Sequence, residues 1–119
     1  MGTLLRHGSD AQKAQYLPLI ADGSLRLQAF AVTEPTSGTD TSRIQTRAIR
    51  DGDHYVVNGQ KVFISRTEHS DLMILLARTK PLDECAKHTD GMSVFLVDMR
   101  EAVGNGLTDL ASCFVGLLP

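Results

Sequence analysis

Two short clusters concentrate the side chains that could recognise a ligand. The first, Ala31-Val32-Thr33-Glu34-Pro35-Thr36-Ser37-Gly38-Thr39-Asp40, leaves an apolar run and enters a loop rich in hydroxyls and turn formers. Backbone amides and side-chain donors in such a bend suit a phosphate or a ring carbonyl. The competing reading is an ordinary turn, because Pro and Gly often do nothing more than reverse the chain. The second cluster is Lys61-Val62-Phe63-Ile64-Ser65. These residues are read as the end of a strand, so Phe63 and Ser65 share one face and offer a planar ring a stacking surface and a hydrogen bond. The competing reading makes Phe63 a core residue and Ser65 a strand terminus.

These clusters must be held by elements that the local pattern predicts. Ser9 with Gln12 three residues later forms a capping-box pattern. Ala11, Ala14, Leu17 and Ile20 then recur at helical spacing, with Pro18 expected to end the helix at Leu17 or to bend it. After Gly23 the period becomes that of strands. Runs are read at residues 27–32, 44–49, 55–57, 62–64, 72–77 and 92–97, with 72–77 and 92–97 apolar enough to be buried on both faces. Asp51-Gly52 marks a turn, and Asn58-Gly59 reads as a type I′ hairpin turn between residues 55–57 and 62–64. Residues 80–91 form a polar loop. Gly104-Asn105-Gly106 suggests a turn into a further strand at Leu107-Thr108, after which residues 109–119 turn apolar and stop abruptly, pointing to truncation or a shifted reading frame. The expected fold is mainly β: a small barrel or sandwich of about six strands behind a short N-terminal helix.

The bulk composition is that of one globular domain. Of 119 residues, 42% are hydrophobic and 22% charged, and no repeat or low-complexity tract divides them. A net charge of -2 leaves no basic field for nucleic acid. No apolar run approaches the ~20 residues that cross a bilayer, and the first residues do not form a secretory signal, so a cytoplasmic protein is expected. Cys85 and Cys113 are read as reduced thiols. Cys85 with His88 lacks the second half of a metal site and reads as part of a polar loop. Arg66, Glu68, His69 and Asp71 form a charged loop to which no role is assigned.

Taken together, the clusters resemble the acyl-CoA dehydrogenase family. In its middle domain, a Thr-Glu-Pro-x-x-Gly-Ser/Thr-Asp segment leaves the first strand, and an Asn-Gly hairpin and a Lys-x-Trp/Phe-Ile-Thr/Ser strand follow. This chain carries Thr33-Glu34-Pro35-Thr36-Ser37-Gly38-Thr39-Asp40, Asn58-Gly59-Gln60-Lys61 and Phe63-Ile64-Ser65 in that order. It departs from the commoner pattern at Phe63 for Trp, Ser65 for Thr and Arg66-Thr67 for Asn-Gly.

The resemblance implies a helical lead-in over residues 1–23 and a middle β domain over 24–119, truncated after 108. It implies FAD as cofactor, with Phe30, Ala31, Val32, Thr33, Gly38, Thr39, Phe63, Ile64 and Ser65 lining the flavin. The Val32 amide and Thr33 hydroxyl would face the pyrimidine edge, Phe63 would cover one ring face, and Ser65 would donate to N5. Thr39 would lie where cofactor and acyl-CoA meet. Glu34, tempting as a base, becomes structural. The implied reaction is α,β-dehydrogenation of an acyl-CoA thioester in fatty acid metabolism, with electrons passing to an electron-transfer flavoprotein or similar acceptor. The proton acceptor would come from a later helical domain, so no catalytic residue is assigned here and the isolated chain is expected to be inactive. The parent is expected to be a homo-oligomer, and the fragment to aggregate or to hold FAD weakly. Two other readings are an acyl-CoA oxidase or flavin monooxygenase on the same fold, and a stand-alone β module with no redox role.

Overall fold

A computed structural model of the chain describes residues 1–104 and 111–115, with residues 102–104 and 111–115 followed through their backbone. Helices α1 (Gly2–His7) and α2 (Asp10–Ala21) lead into β1 (Leu27–Ala31), β2 (Arg47–Asp51), β3 (His54–Gly59), β4 (Leu72–Arg78) and β5 (Met92–Asp98). Helix α3 (Met99–Gly104) and β6 (Ala111–Val115) follow.

The start of α2 forms as its sequence requires. The Gln12 amide donates to Ser9 Oγ at 3.2 Å and the Ser9 amide to Gln12 Oε1 at 3.0 Å, so both halves of the capping box are present. The expected break at Pro18 is absent, and α2 runs through it to Ala21. Ala14 and Pro18 both lie on the exposed side, so water can satisfy the carbonyl that the proline leaves without a donor. The inward stripe also differs from the expected one. Ala11 and Ala14 are exposed, while Tyr16 packs with Leu4, Leu25 and Leu72, flanked by Leu17 and Ile20. Tyrosine and leucine bury far more apolar area than alanine and decide which way the helix turns.

The six strands form one mixed sheet. The order is β1-β4-β2-β3-β6, and β5 pairs with β4. Strand β5 runs antiparallel along the whole of β4, so β1 and β2 share the opposite edge, with β1 parallel from Leu27↔Leu72 to Ala31↔Leu75 and β2 meeting β4 only at Arg47↔Arg78. The sheet is mainly β in character as expected, but it is open: no ladder among the described residues closes a barrel. It does curl. Tyr55 of β3 meets Phe95 of β5 edge-on at 5.2 Å although those strands are not paired. Between them lies the main core of Ala29, Ala31, Ala48, Val57, Met73, Leu75, Ala77, Phe95, Val97 and Met99.

Strand β4 is buried on both faces as its apolar run predicts, with Met73, Leu75 and Ala77 in the main core and Leu72 under the helices. Strand β5 is not. Phe95 and Val97 point inward but Val94 is exposed, because the outer face of β5 is only partly covered by the described residues.

Three expectations about turns and strands are corrected. The hairpin turn lies between Asp51 and His54, which pair directly across Gly52 (φ 64°) and Asp53. Asn58 and Gly59 instead end β3, opposite Arg47 and Ala111. Gly59 is required by close approach: a Cβ there would lie 2.6 Å from Thr46 Cα. Residues 62–64 are not a strand, and the segment expected at 44–49 becomes β2 only from Arg47, with Ile44 fully buried ahead of it. The strand start expected at Leu107-Thr108 lies outside the described residues. The count of six is reached with β6 in place of residues 62–64.

Candidate functional site

The two clusters singled out in the sequence meet in space. Beyond β1 the chain folds into a tight turn in which the Glu34 amide donates to the Ser37 carbonyl at 3.0 Å and the Ser37 amide to the Glu34 carbonyl at 3.1 Å. Pro35 and Thr36 occupy its corner, where the fixed φ of proline favours reversal. The Ser37 hydroxyl then donates to the Asp40 carbonyl. The Asp40 carboxylate caps the 3₁₀ turn Thr41–Arg43 through the Ser42 amide at 3.1 Å and pairs with Arg43 at 3.1 Å. Hydrogen bonding to the Ser42 side chain, more than the Arg43 charge, holds the Asp40 carboxyl low.

Glu34 turns inward from this loop and is 5% exposed. Its carboxylate accepts the Gln45 amide at 2.6 Å, the Thr46 amide at 2.9 Å and Lys61 Nζ at 2.9 Å. Burial pushes its pKa up, but these donors outweigh burial and hold the carboxyl below the usual range. The Thr46 hydroxyl also lies against the carboxylate and leads the influences that lower its pKa, although Thr46 Oγ1 completes no hydrogen bond among the described residues. Burial pulls the Lys61 ammonium down, and Glu34 opposes that pull.

Lys61 joins the clusters. Besides Glu34 it donates to the Val32 carbonyl at 2.9 Å, and the next amide, Val62 N–H, donates to the Thr33 carbonyl at 2.9 Å. The chain then passes through Phe63 in a left-handed conformation (φ 58°) and leaves its ring 91% exposed. A bulky residue at positive φ is an outlier, and such outliers gather at functional positions. Phe63 is therefore not core, and it does not share a strand face with Ser65. Ile64 packs against the main core, and the Thr67 hydroxyl donates to its carbonyl at 3.2 Å.

The predicted site residues divide into two groups. Ala31 is fully buried and Ile64 half-buried, so they support rather than present. Phe30, Gly38, Thr39, Phe63 and Ser65 are exposed, and Val32 and Thr33 half-buried. Among the described residues, the hydroxyls of Thr33, Thr39 and Ser65 make no hydrogen bond, nor does the Thr33 N–H. The surface thus offers donors and an aromatic face, and the Glu34 carboxylate is turned away from it.

Lys61 and Arg66 belong to the site region but were not among the expected site residues. Arg66, also left-handed (φ 60°), donates through Nε to Gln28 Oε1 at 2.8 Å and so ties the end of this segment to β1. The lysine's place in the motif was the only sequence signal for it. Of the charged loop, Asp71 accepts the Arg26 amide at 2.8 Å and its Nε at 3.2 Å, which is a structural task. Cys85 Sγ faces the carbonyls of Pro81 and Asp90, and His88 gives its carbonyl to Arg78. Among the described residues no helix is long and apolar enough to cross a membrane.

Comparison with known proteins places this arrangement. A family model described as acyl-CoA dehydrogenase, middle domain, matches residues 29–112. Acyl-CoA dehydrogenase FadE29 of Mycobacterium tuberculosis is 46% identical over 99 residues, which cover 83% of this chain and 24% of that protein. Cyclohex-1-ene-1-carbonyl-CoA dehydrogenase of Syntrophus aciditrophicus is 41% identical over 98 residues, 82% of this chain and 23% of that protein. The crystal structure of an acyl-CoA dehydrogenase from Geobacillus kaustophilus matches with a TM-score of 0.80 at 33% identity, over 99% of this chain and 33% of that one. The chain spans about a quarter of the length of these curated relatives. It belongs to the acyl-CoA dehydrogenase family and carries that family's middle domain.

Proposed function

We propose that this chain forms one wall of the flavin pocket of an FAD-dependent acyl-CoA dehydrogenase. The observation that carries the reading is the junction of residues 32–34 with residues 61–63, which sets the Thr33 donors, unbonded among the described residues, and the exposed Phe63 ring on segments tied to each other. The donor set fits the group. The pyrimidine edge of a flavin is rich in acceptors, and Thr33 offers a hydroxyl and an N–H without a competing carboxylate. Phe63 supplies a flat apolar face for a planar ring, and Ser65 a second hydroxyl.

In this reading the Val32 amide and Thr33 orient the pyrimidine edge, Phe63 covers the ring, Ser65 donates near N5, and Thr39 stands where acyl-CoA enters. Phe30, Ala31, Gly38 and Ile64 complete the wall. Bound there, the flavin supplies the hydride acceptor for α,β-dehydrogenation of an acyl-CoA thioester. The chain's own contribution is binding, orientation and donors placed where negative charge develops. Residues 1–23 belong to a helical lead-in and residues from 24 onward to the β domain. The proton acceptor lies in another part of the parent protein, which passes electrons to a flavoprotein acceptor and assembles as a homo-oligomer in the cytoplasm.

FAD titration of the folded chain tests this, read by flavin fluorescence and visible absorbance. Saturable binding that weakens in both Thr33→Ala and Phe63→Ala is expected. Binding indifferent to both substitutions would remove these residues from the pocket.

A further inference from the structure

We infer that Lys61 is a positioning residue which polarises the peptide group between Val32 and Thr33, so that Thr33 presents a strengthened N–H beside its free hydroxyl to an electron-rich ligand edge. The inference rests on the flavin reading and deepens it.

The argument begins with an unusual division of the ammonium's donors. Lys61 is 6% exposed at its side chain, and a buried ammonium, a compact point charge, needs an anion, which Glu34 supplies at 2.9 Å. A second donor goes to a neutral acceptor 29 residues away, the Val32 carbonyl, at the same 2.9 Å. That carbonyl and the Thr33 N–H belong to one conjugated unit. A positive charge on the oxygen draws electron density through the C–N bond and leaves the N–H a better donor. Hydrogen bonds in chains strengthen one another in this way, and charge-assisted bonds are roughly twice as strong as neutral ones.

The surroundings leave the strengthened donor available. The Thr33 carbonyl is occupied by the Val62 amide, whereas the Thr33 N–H and hydroxyl meet no acceptor among the described residues. Glu34 does not cancel the effect by facing Thr33. Its carboxylate also accepts two backbone amides, from Gln45 and Thr46, and the ammonium bridges it to Val32. Lys61 also precedes Val62 and Phe63 directly, so the residue that polarises the donor edge helps fix the aromatic segment beside it.

A strengthened donor acts unequally on two states of a ligand. It gains more against an edge carrying negative charge than against a neutral one. Reduced flavin carries that charge at its pyrimidine edge, so Lys61 favours the reduced form, and its loss should be felt as a change in redox preference.

The test uses the full 119-residue chain unchanged, as Lys61→Arg, and as the double variant Glu34→Gln/Lys61→Met. The double variant removes both charges together and strands neither. Circular dichroism checks the fold. Two further readouts are the ¹³C carbonyl resonance of Val32 in the ligand-free chain and the affinities for oxidised FAD and anaerobically reduced FAD. The double variant is expected to shift the Val32 resonance upfield and to weaken binding of reduced FAD about tenfold, equivalent to ~1.4 kcal/mol, while oxidised FAD changes less than about twofold. Lys61→Arg, which keeps a cation, should recover part of the preference. Equal weakening of both forms, or an unmoved Val32 resonance, overturns the inference and leaves Lys61 a structural residue. If the double variant does not fold, Glu34→Gln/Lys61→Gln, which also strands no charge and keeps neutral polar groups at both positions, carries the same comparison. Failure of the folded unchanged chain to bind either form of FAD overturns the flavin reading instead, and the Val32 resonance then decides whether the polarisation exists.

Discussion

Lys61 and Arg78 are both cations withdrawn from water, and the chain satisfies them in opposite ways. Lys61 has a carboxylate partner in Glu34 and one carbonyl besides. Arg78, 2% exposed at the end of β4, has no carboxylate partner among the described residues. Its guanidinium donates to the carbonyls of Ile44 at 2.7 Å, Asp90 at 3.1 Å and His88 at 2.8 Å, and to that of Ser42. A delocalised, weakly hydrated guanidinium with a five-donor fork can be stabilised by several carbonyl dipoles; a compact ammonium needs an anion. The difference also separates their tasks. Arg78 staples the segment after the Asp40 cap and the turn before β5 to the sheet. Lys61 stands one peptide behind the Thr33 donors.

The largest expected effect comes from breaking the ion pair. Lys61→Met strands the Glu34 carboxylate and should lower unfolding free energy by about 3–5 kcal/mol in chemical denaturation, whereas Glu34→Gln/Lys61→Met should recover most of it. Equal losses in both would mean that packing, not charge, holds the junction. Next comes Arg78→Met, which leaves up to four carbonyls without their donor and should cost about 2–4 kcal/mol, the three part-buried ones being partly rescued by water. Arg78→Lys should regain less than half, because a point charge cannot span the four acceptors.

The pH dependence sharpens the comparison further. Glu34 has a folded-state pKa below its unfolded value, so its contribution is complete above the ordinary carboxylate range and is lost as pH falls through the folded value. Acid titration of stability should therefore be shallower in Glu34→Gln/Lys61→Met than in the unchanged chain. Part of the slope should survive in both, because Asp71, held low first by the Arg26 amide, and Asp98, held low first by the Arg100 side chain, remain. Identical slopes would remove Glu34 from the account. The smallest stability effect is Phe63→Ala, within about 0.5 kcal/mol for so exposed a ring. A loss of FAD affinity without a loss of stability would mark Phe63 as a ligand contact.

Much of this was legible in the residues. The capping box, the doubly buried run of β4 and the turn at Gly52 follow from local types and spacings, and the family was recognised by the resemblance of its motifs. The misreadings share one cause. Asn58-Gly59 is the dipeptide best suited to a tight turn, yet β6 lies along β3 and extends it through Gly59, where the glycine serves close approach to Thr46. Residues 62–64 look like a strand but are drawn off the sheet by the Val62 bond to Thr33. Local preference amounts to a few tenths of a kcal/mol per residue, and tertiary contacts override it.

By itself the sequence pointed to the family, the β-rich character and the two segments proposed to face a ligand, because these depend on residue type and order. Only the tertiary structure decided that Glu34 is an inward strut, that Phe63 stands in solvent, and that Lys61 reaches residues 27 and 29 positions away. Contacts of that span are set by strand register and burial, which no local window contains.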